Sequence, residues 1–395
     1  MWIHLIFSGC QLILVQLDYK YDVAYAISAG NGLDGDYHEF SITSDDTALL
    51  TAYVKTPWDL SAYGRENGFI WDCAFQEVDV ETNEVLFEWR ASQHYTFADM
   101  TVNSWAEWTG HDGDPWDWFH LNSVEKDSSG NYLLAARYTN AITYIKGHTG
   151  AILWTLGGKA NDFYNSPMLN ATRFIDPHMA RWSDERSAIT LFDNIASWSM
   201  DEPRRESHGI NLKINVPKRT ATVDVELLHP EHTFAASEGS MQVLSNGNYF
   251  VGYGSASIYA EFAPNGTLLC SAHYAPLGRE SDETGQGALG SFRISKQKWV
   301  GWPEEPPEIK LKGQEMHVSW NGATALRGWR LAGRRIASHS WEDLGVRKRS
   351  GFETTLSLQG KSYSAFQLTA LDERSNALSA WMIQDDGKIT VSQST

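Results

Sequence analysis

What the chain has little of narrows it first. Cysteine is scarce: there are three, Cys10, Cys73 and Cys270. None stands in a CxxC pair or beside a histidine at zinc spacing, so no structural metal is expected, and at most one disulfide can form. Basic charge is short: 32 Lys and Arg against 49 Asp and Glu leave a net charge of −17. Nucleic acid and anionic membranes both call for a basic face, so neither is expected as a partner. Long hydrophobic runs are missing. The best, residues 2–16, is too short and too polar in its middle to span a bilayer. It has no positive flank and no small-x-small cleavage site, so it reads as a buried N-terminal strand rather than a signal peptide. GxSxG, Walker, HExxH and strand–GxGxxG–helix motifs are all absent, and Gly157-Gly158 lacks the flanks of a phosphate cradle.

What is present points to strands. The chain holds 17 Trp, 16 Tyr, 16 Phe and 32 Gly, and its apolar segments are short runs bounded by Gly, Asn, Asp and Ser. Residues 48–54, 69–80, 84–89, 132–138, 142–147 and 151–156 read as β. A repeat lies beneath them. Residues 76–89, 142–154 and 258–270 share a strand–turn–strand outline, with Leu86, Leu153 and Leu269 in register and a weaker copy near Ile214 to Leu228. Ser129-Gly-Asn-Tyr-Leu133 also matches Asn246-Gly-Asn-Tyr-Phe250. Four-stranded units of this length predict propeller blades. About 300 residues give five or so, with a sixth closed by terminal strands or partly missing. The Pro-rich run Trp299 to Pro307 marks a boundary. The reading is all-β: a β-propeller over residues 1–302, then a small fibronectin- or immunoglobulin-like sandwich over 308–395.

The stretch from Asp117 to Val124, DWFHLNSV, carries the densest chemistry. His120 and Asn122 stand two apart in strand-like residues and so share a face. Arg137 follows in the next strand-like run. His38 lies in DYHEF, as an interior residue near the axis or a turn residue held by Glu39. His178 lies in DPHMA ahead of the apolar run 189–194, near an innermost strand. His148 sits in a turn and is set aside. Asp176 and Asp193 have no evident partner, and a turn or cap role is expected of them.

DWFHLNSV with the run GNYLLAARYTNAITYIKGHTGAILWTLGG resembles the arylsulfotransferase family in its fungal branch. DYHEFSIT, FQEVDVETNEVLFEW, FDN (192–194), GSMQVLSNGNYFVGYGS and VSWNGAT extend the resemblance over nearly the whole chain from about residue 17. It implies six blades around a central active site. It also implies sulfuryl transfer between phenols through a sulfo-histidine, without a nucleotide donor and without a cofactor. On that resemblance His178 is the nucleophile, and His120, Asn122 and Arg137 hold the sulfuryl oxygens. His94 is another pocket histidine, with His38 a further substrate-binding position. The family has Gln before the nucleophile and a small or acidic residue after it; here Pro177 and Met179 stand there.

The expected partner is a small aromatic or phenolic substrate. Two other readings stay open. One is an enzyme of secondary metabolism on the same propeller, a dehydratase or a pericyclase such as a hetero-Diels–Alder catalyst. The other is a non-catalytic binding propeller. The sequons Asn170-Ala-Thr172 and Asn265-Gly-Thr267 and the resemblance suggest secretion, whereas the lack of a leader pattern suggests the cytosol.

Overall fold

A computed structural model describes residues 2–8, 11–102, 104, 108–164, 171–184, 186–195, 206–275, 290–336, 338–384 and 389–391. Asn170 of the first sequon lies outside them. Residues 2–16 form two strands instead of the one expected: β1 (Trp2–Ser8) and β2 (Gln11–Leu17) make a three-stranded sheet with β3 (Val23–Ile27). By contacts the chain divides into two compact units. One comprises residues 5–14 and 26–297; the other comprises 298–395 with 1–4 and 15–25.

The larger unit holds four consecutive four-stranded antiparallel sheets. The first contains β4 (Asp36–Ile42), β5 (Thr47–Leu60), β6 (Arg65–Asp79) and β7 (Val85–Arg90), with the two-residue β8 (Trp116–Asp117) alongside β6. The second contains β9 (Leu121–Lys126), β10 (Tyr132–Ala136), β11 (Ala141–Ile145) and β12 (Ile152–Gly157). The third contains β13 (His178–Asp184), β14 (Ala188–Asp193), β15 (His208–Asn215) and β16 (Thr220–Leu228). The fourth contains β17 (Ser240–Val243), β18 (Tyr249–Gly252), β19 (Ile258–Phe262) and β20 (Leu268–His273). Each sheet is a simple meander, and the first strands β4, β9, β13 and β17 lie against one another. This is a β-propeller, with four complete blades among the described residues where six were expected.

Burial explains why the blades stack. β10 reads YLLAA and is buried on both faces. Alternation sends Tyr132 and Leu134 into the core shared with Phe75 and Trp89 of the first blade, and Leu133 and Ala135 into the core shared with Leu191 of the third. Phe192, Leu227, Met241 and Val251 close the next interface. Each fully buried Leu or Phe contributes about 1.5–3 kcal/mol. The sequence repeats are blade parts. Leu86, Leu153 and Leu269 lie on the outermost strands β7, β12 and β20, and the weaker copy is β15–β16. The two Gly-Asn-Tyr repeats are the turns that join the first and second strands of blades two and four. Their Gly130 and Gly247 take φ +75° and +84°, which disfavours any side chain.

The smaller unit is a sandwich. One sheet runs β21 (Glu308–Lys312), β22 (Glu315–Ser319), β25 (Glu353–Ser357). The other is ordered β24 (Glu342–Lys348), β23 (Gly328–Arg334), β26 (Ala365–Leu371), β27 (Ala377–Gln384), β28 (Ile389–Val391). Met316, Val318, Trp320, Trp329, Leu368 and Trp381 fill the space between them. Tyr21 belongs to this unit: its hydroxyl donates to the Gly322 carbonyl at 2.7 Å.

Candidate active site

The innermost strands do not begin as regular β. The β4–β5 register slips between Asp36 and Phe40, and His38 lies in the slip. His120 takes φ +57° immediately before β9, and the β9–β10 register breaks beside it. His178 opens β13, flanked by Asp176 at φ +53° and Met179 at φ +49°, with a slip before Arg181. Bulges of this kind re-aim side chains near the rim of a closed β-structure. The three bulges bring three imidazoles together. His38 and His120 meet edge to face with ring centroids 4.7 Å apart, and Phe292 stands 5.3 Å from His38 and 6.0 Å from His178.

Each imidazole is held at Nδ1. His120 Nδ1 bonds the Asp117 carboxylate, and His38 Nδ1 bonds Asp36 Oδ2 at 2.7 Å. His178 Nδ1 faces Asn194 Oδ1 at 2.7 Å and the Asp176 carbonyl at 3.0 Å. The amide of Asn194 has a fixed orientation, because its Nδ2 donates to the carbonyls of Ala235 and Glu238 at 2.9 and 3.0 Å. Its Oδ1 therefore accepts, His178 Nδ1 carries the proton, and Nε2 keeps its lone pair. Nε2 of all three rings has no hydrogen-bond partner among the described residues.

Burial dominates the electrostatics of the site. Burial, then Arg137 and His120, push the His178 pKa well below the usual histidine value, so the ring is neutral. Burial, His38 and Arg137 do the same to His120. Burial raises Asp117 to about 7 against the pull of His38 and Arg137. The Asp117–His120 pair thus holds and yields a proton near neutrality. Asp36 is the opposite case: burial disfavours its charge, but the His38 and Thr51 hydrogen bonds prevail and hold its pKa down.

Arg137 is positioned from several sides. Its backbone N–H donates to the His120 carbonyl at 2.9 Å, its Nη2 to the Ala236 carbonyl at 3.2 Å, and its Nε stands 3.5 Å from Asp176 Oδ1. Asp176 is fully buried, with its pKa raised by burial and lowered in part by Arg137. It is therefore the partner of Arg137, where a turn role was expected. Asp193 keeps the expected role and accepts from the N–H groups of Ile175 and Ile195.

Asn122 Nδ2 donates to the Pro177 carbonyl at 2.7 Å, which fixes the residue just before His178. Two expectations need correction. His38 is held by Asp36, whereas Glu39 is wholly buried between Arg181 and Arg293. His94 does not join the cluster. It follows the turn Ala91–Gln93 beyond the outermost strand β7 and stacks on Trp89, ring centroids 5.0 Å apart, beside Gly150. Sequence reading passed over Asp117, Asp36, Asn194, Phe292 and the loop 235–239. The signals were there in part: an acid three before His120, an acid two before His38, and the FDN triplet.

No cluster of metal-ligating side chains occurs among the described residues, and no described helix is long and apolar enough to cross a membrane. Several solved structures are distantly similar. A putative 6-phosphogluconolactonase from Bacteroides uniformis ATCC 8492 is 12% identical, with 99% of this chain and 94% of that one covered at a TM-score of 0.37. The Cps50 (Swd1) β-propeller domain of Myceliophteria thermophila is 9% identical, with 91% and 87% covered at 0.33. A protein of unknown function from Bacteroides caccae is 14% identical, with 82% and 90% covered at 0.30. No curated protein sequence matches. The arylsulfotransferase (ASST) family profile matches residues 12–275. That match spans more than half of the chain, and the chain belongs to the arylsulfotransferase family.

Proposed function

We propose that the protein moves a sulfuryl group from an aryl sulfate to a phenol through His178. The observation that carries this is the Asn194 amide, which keeps the proton of His178 on Nδ1 and leaves a neutral, nucleophilic Nε2. Nε2 attacks sulfur. The bond from sulfur to the aryl oxygen breaks, and the leaving oxygen takes the electron pair and a proton from the His120–Asp117 pair. A sulfo-histidine and a phenol result. An acceptor phenol then returns a proton to that pair, its oxygen attacks sulfur, and the S–N bond breaks to regenerate Nε2. Arg137, set by Asp176 and the Ala236 carbonyl, stabilises the charge on the equatorial sulfuryl oxygens, as in phosphoryl transfer. Asn122 acts as a positioning residue by holding Pro177.

The division of labour among the histidines supports the reading. A carboxylate behind His120 suits a ring that passes a proton, and an amide behind His178 suits a ring that must be neutral before its Nε2 attacks. The test is a rapid-mixing assay with a chromogenic aryl sulfate and no acceptor. The account predicts a burst of one phenol per enzyme in the wild type and none in His178→Ala. A burst that survives His178→Ala rejects the histidine nucleophile. A folded wild type with no burst and no turnover rejects sulfuryl transfer and favours non-covalent chemistry or binding on the same propeller.

A further inference from the structure

Three blades supply the histidines, and the fourth enters the site through the loop 235–239. The carbonyls of Ala235 and Glu238 hold Asn194, and that of Ala236 holds Arg137. Glu238 stands two residues ahead of β17, at φ +65°. Its side chain has no assigned task. Glu238 Oε2 is buried and has no hydrogen-bond partner among the described residues. Burial raises the pKa of this carboxyl, and its interaction with His38 acts the other way. Gly290 makes room for it: a Cβ there would lie 2.5 Å from Oε2.

A buried carboxyl oxygen left without a donor is costly. The donor substrate is a poor candidate, since a sulfate ester carries fixed negative charge and is better placed near Arg137. An acceptor phenol is neutral. Its reacting hydroxyl must reach sulfur, so a group that binds Glu238 is a second hydroxyl on the same ring. We infer that Glu238 and His38 form an acceptor subsite, and that the preferred acceptors are dihydric phenols whose second hydroxyl donates to Glu238 Oε2. This rests on the proposed sulfuryl transfer for the word acceptor, but the recognition itself is a matter of binding. Phe292, edge-on to both His38 and His178, gives the aromatic ring a wall between the two groups.

Calorimetric titration of the full chain with phenol, catechol, resorcinol and hydroquinone tests the subsite without any turnover. At least one dihydric phenol binds the wild type tenfold or more tighter than phenol, since a site built to bond a hydroxyl discriminates strongly against its absence. Glu238→Leu removes that difference and leaves the affinity for phenol within about threefold. Equal affinities in the wild type, or a preference that persists in Glu238→Leu, overturn the inference. Should Glu238→Leu not fold by thermal melting, Glu238→Ala is titrated with the same four ligands and decides between the same outcomes. The phenol burst read in parallel keeps the two ideas apart: a missing burst with an intact preference sinks the chemistry and not the subsite.

Discussion

Asn194 is the residue on which the chemistry turns, and it permits a sharp test. In Asn194→Asp the group behind His178 Nδ1 becomes a carboxylate. An opposite charge at that distance raises an imidazole pKa by about 1–3 units. His178 is held far below the usual value in the wild type, so the burst rate should be flat as pH falls through about 6.5. The variant should instead lose rate on the acid side of a pKa shifted upward, and recover it in alkali. Asp117→Asn leaves His120 without a carboxyl to share its proton, and turnover should drop by about 10²-fold or more. With Asp117 near 7, wild-type turnover of a poor leaving group should hold below that pH and decline above it as the pair loses its proton. These residues were only half legible. The histidines and Arg137 stand out by type, but Asn194 is an ordinary amide until its two carbonyl partners fix which way it faces.

Among the elements, the strands could be read and the bulges could not. Runs such as 132–138 and 151–156 are apolar and turn-bounded, and they fold as β10 and β12. The bulges at His38, His120 and His178 depend on residues from other strands, and no local pattern announces them. The strand expected around His120 begins only at Leu121, with that histidine just outside it in the left-handed region. The end of β14 offers a further test. Asp193 accepts two backbone N–H groups, and burial raises its pKa to about 8. The folded chain therefore binds a proton there that the unfolded chain has shed above about pH 4. Its stabilising effect is complete below that pH and is lost as pH rises through about 8. Asp193→Asn keeps an acceptor and cannot ionise, so its melting temperature should change less than that of the wild type between pH 4 and 8. An unchanged slope would contradict the assignment.

For the propeller as a whole, one buried carboxylate ties three innermost strands together. Glu39 on β4 accepts from Arg181 of β13, from the Val124 N–H of β9 and from Arg293, whose Nη2 also reaches the carbonyls of His38 and Asn122. Burial opposes its charge, and the two guanidiniums overcome that and hold its pKa below the usual range. Glu39→Gln strands two buried cations and should cost about 3–5 kcal/mol in chemical denaturation. The loss should shrink in acid, because the stability Glu39 supplies is present above its ordinary pKa and fades as pH falls through the lowered one. The repeats made the propeller readable from the sequence. They could not show that Glu39 serves this network and not His38, since its partners lie 142 and 254 residues away. The central claim is that sulfur rides on His178. Intact-mass spectrometry of the full chain, taken after an aryl sulfate alone and again after a phenol is added, tests it most directly. The account predicts a gain of one sulfuryl group that maps to His178, disappears on adding the phenol and never forms in His178→Ala. Phenol sulfation by a chain that never gains that mass, or a gain that maps elsewhere, would contradict it.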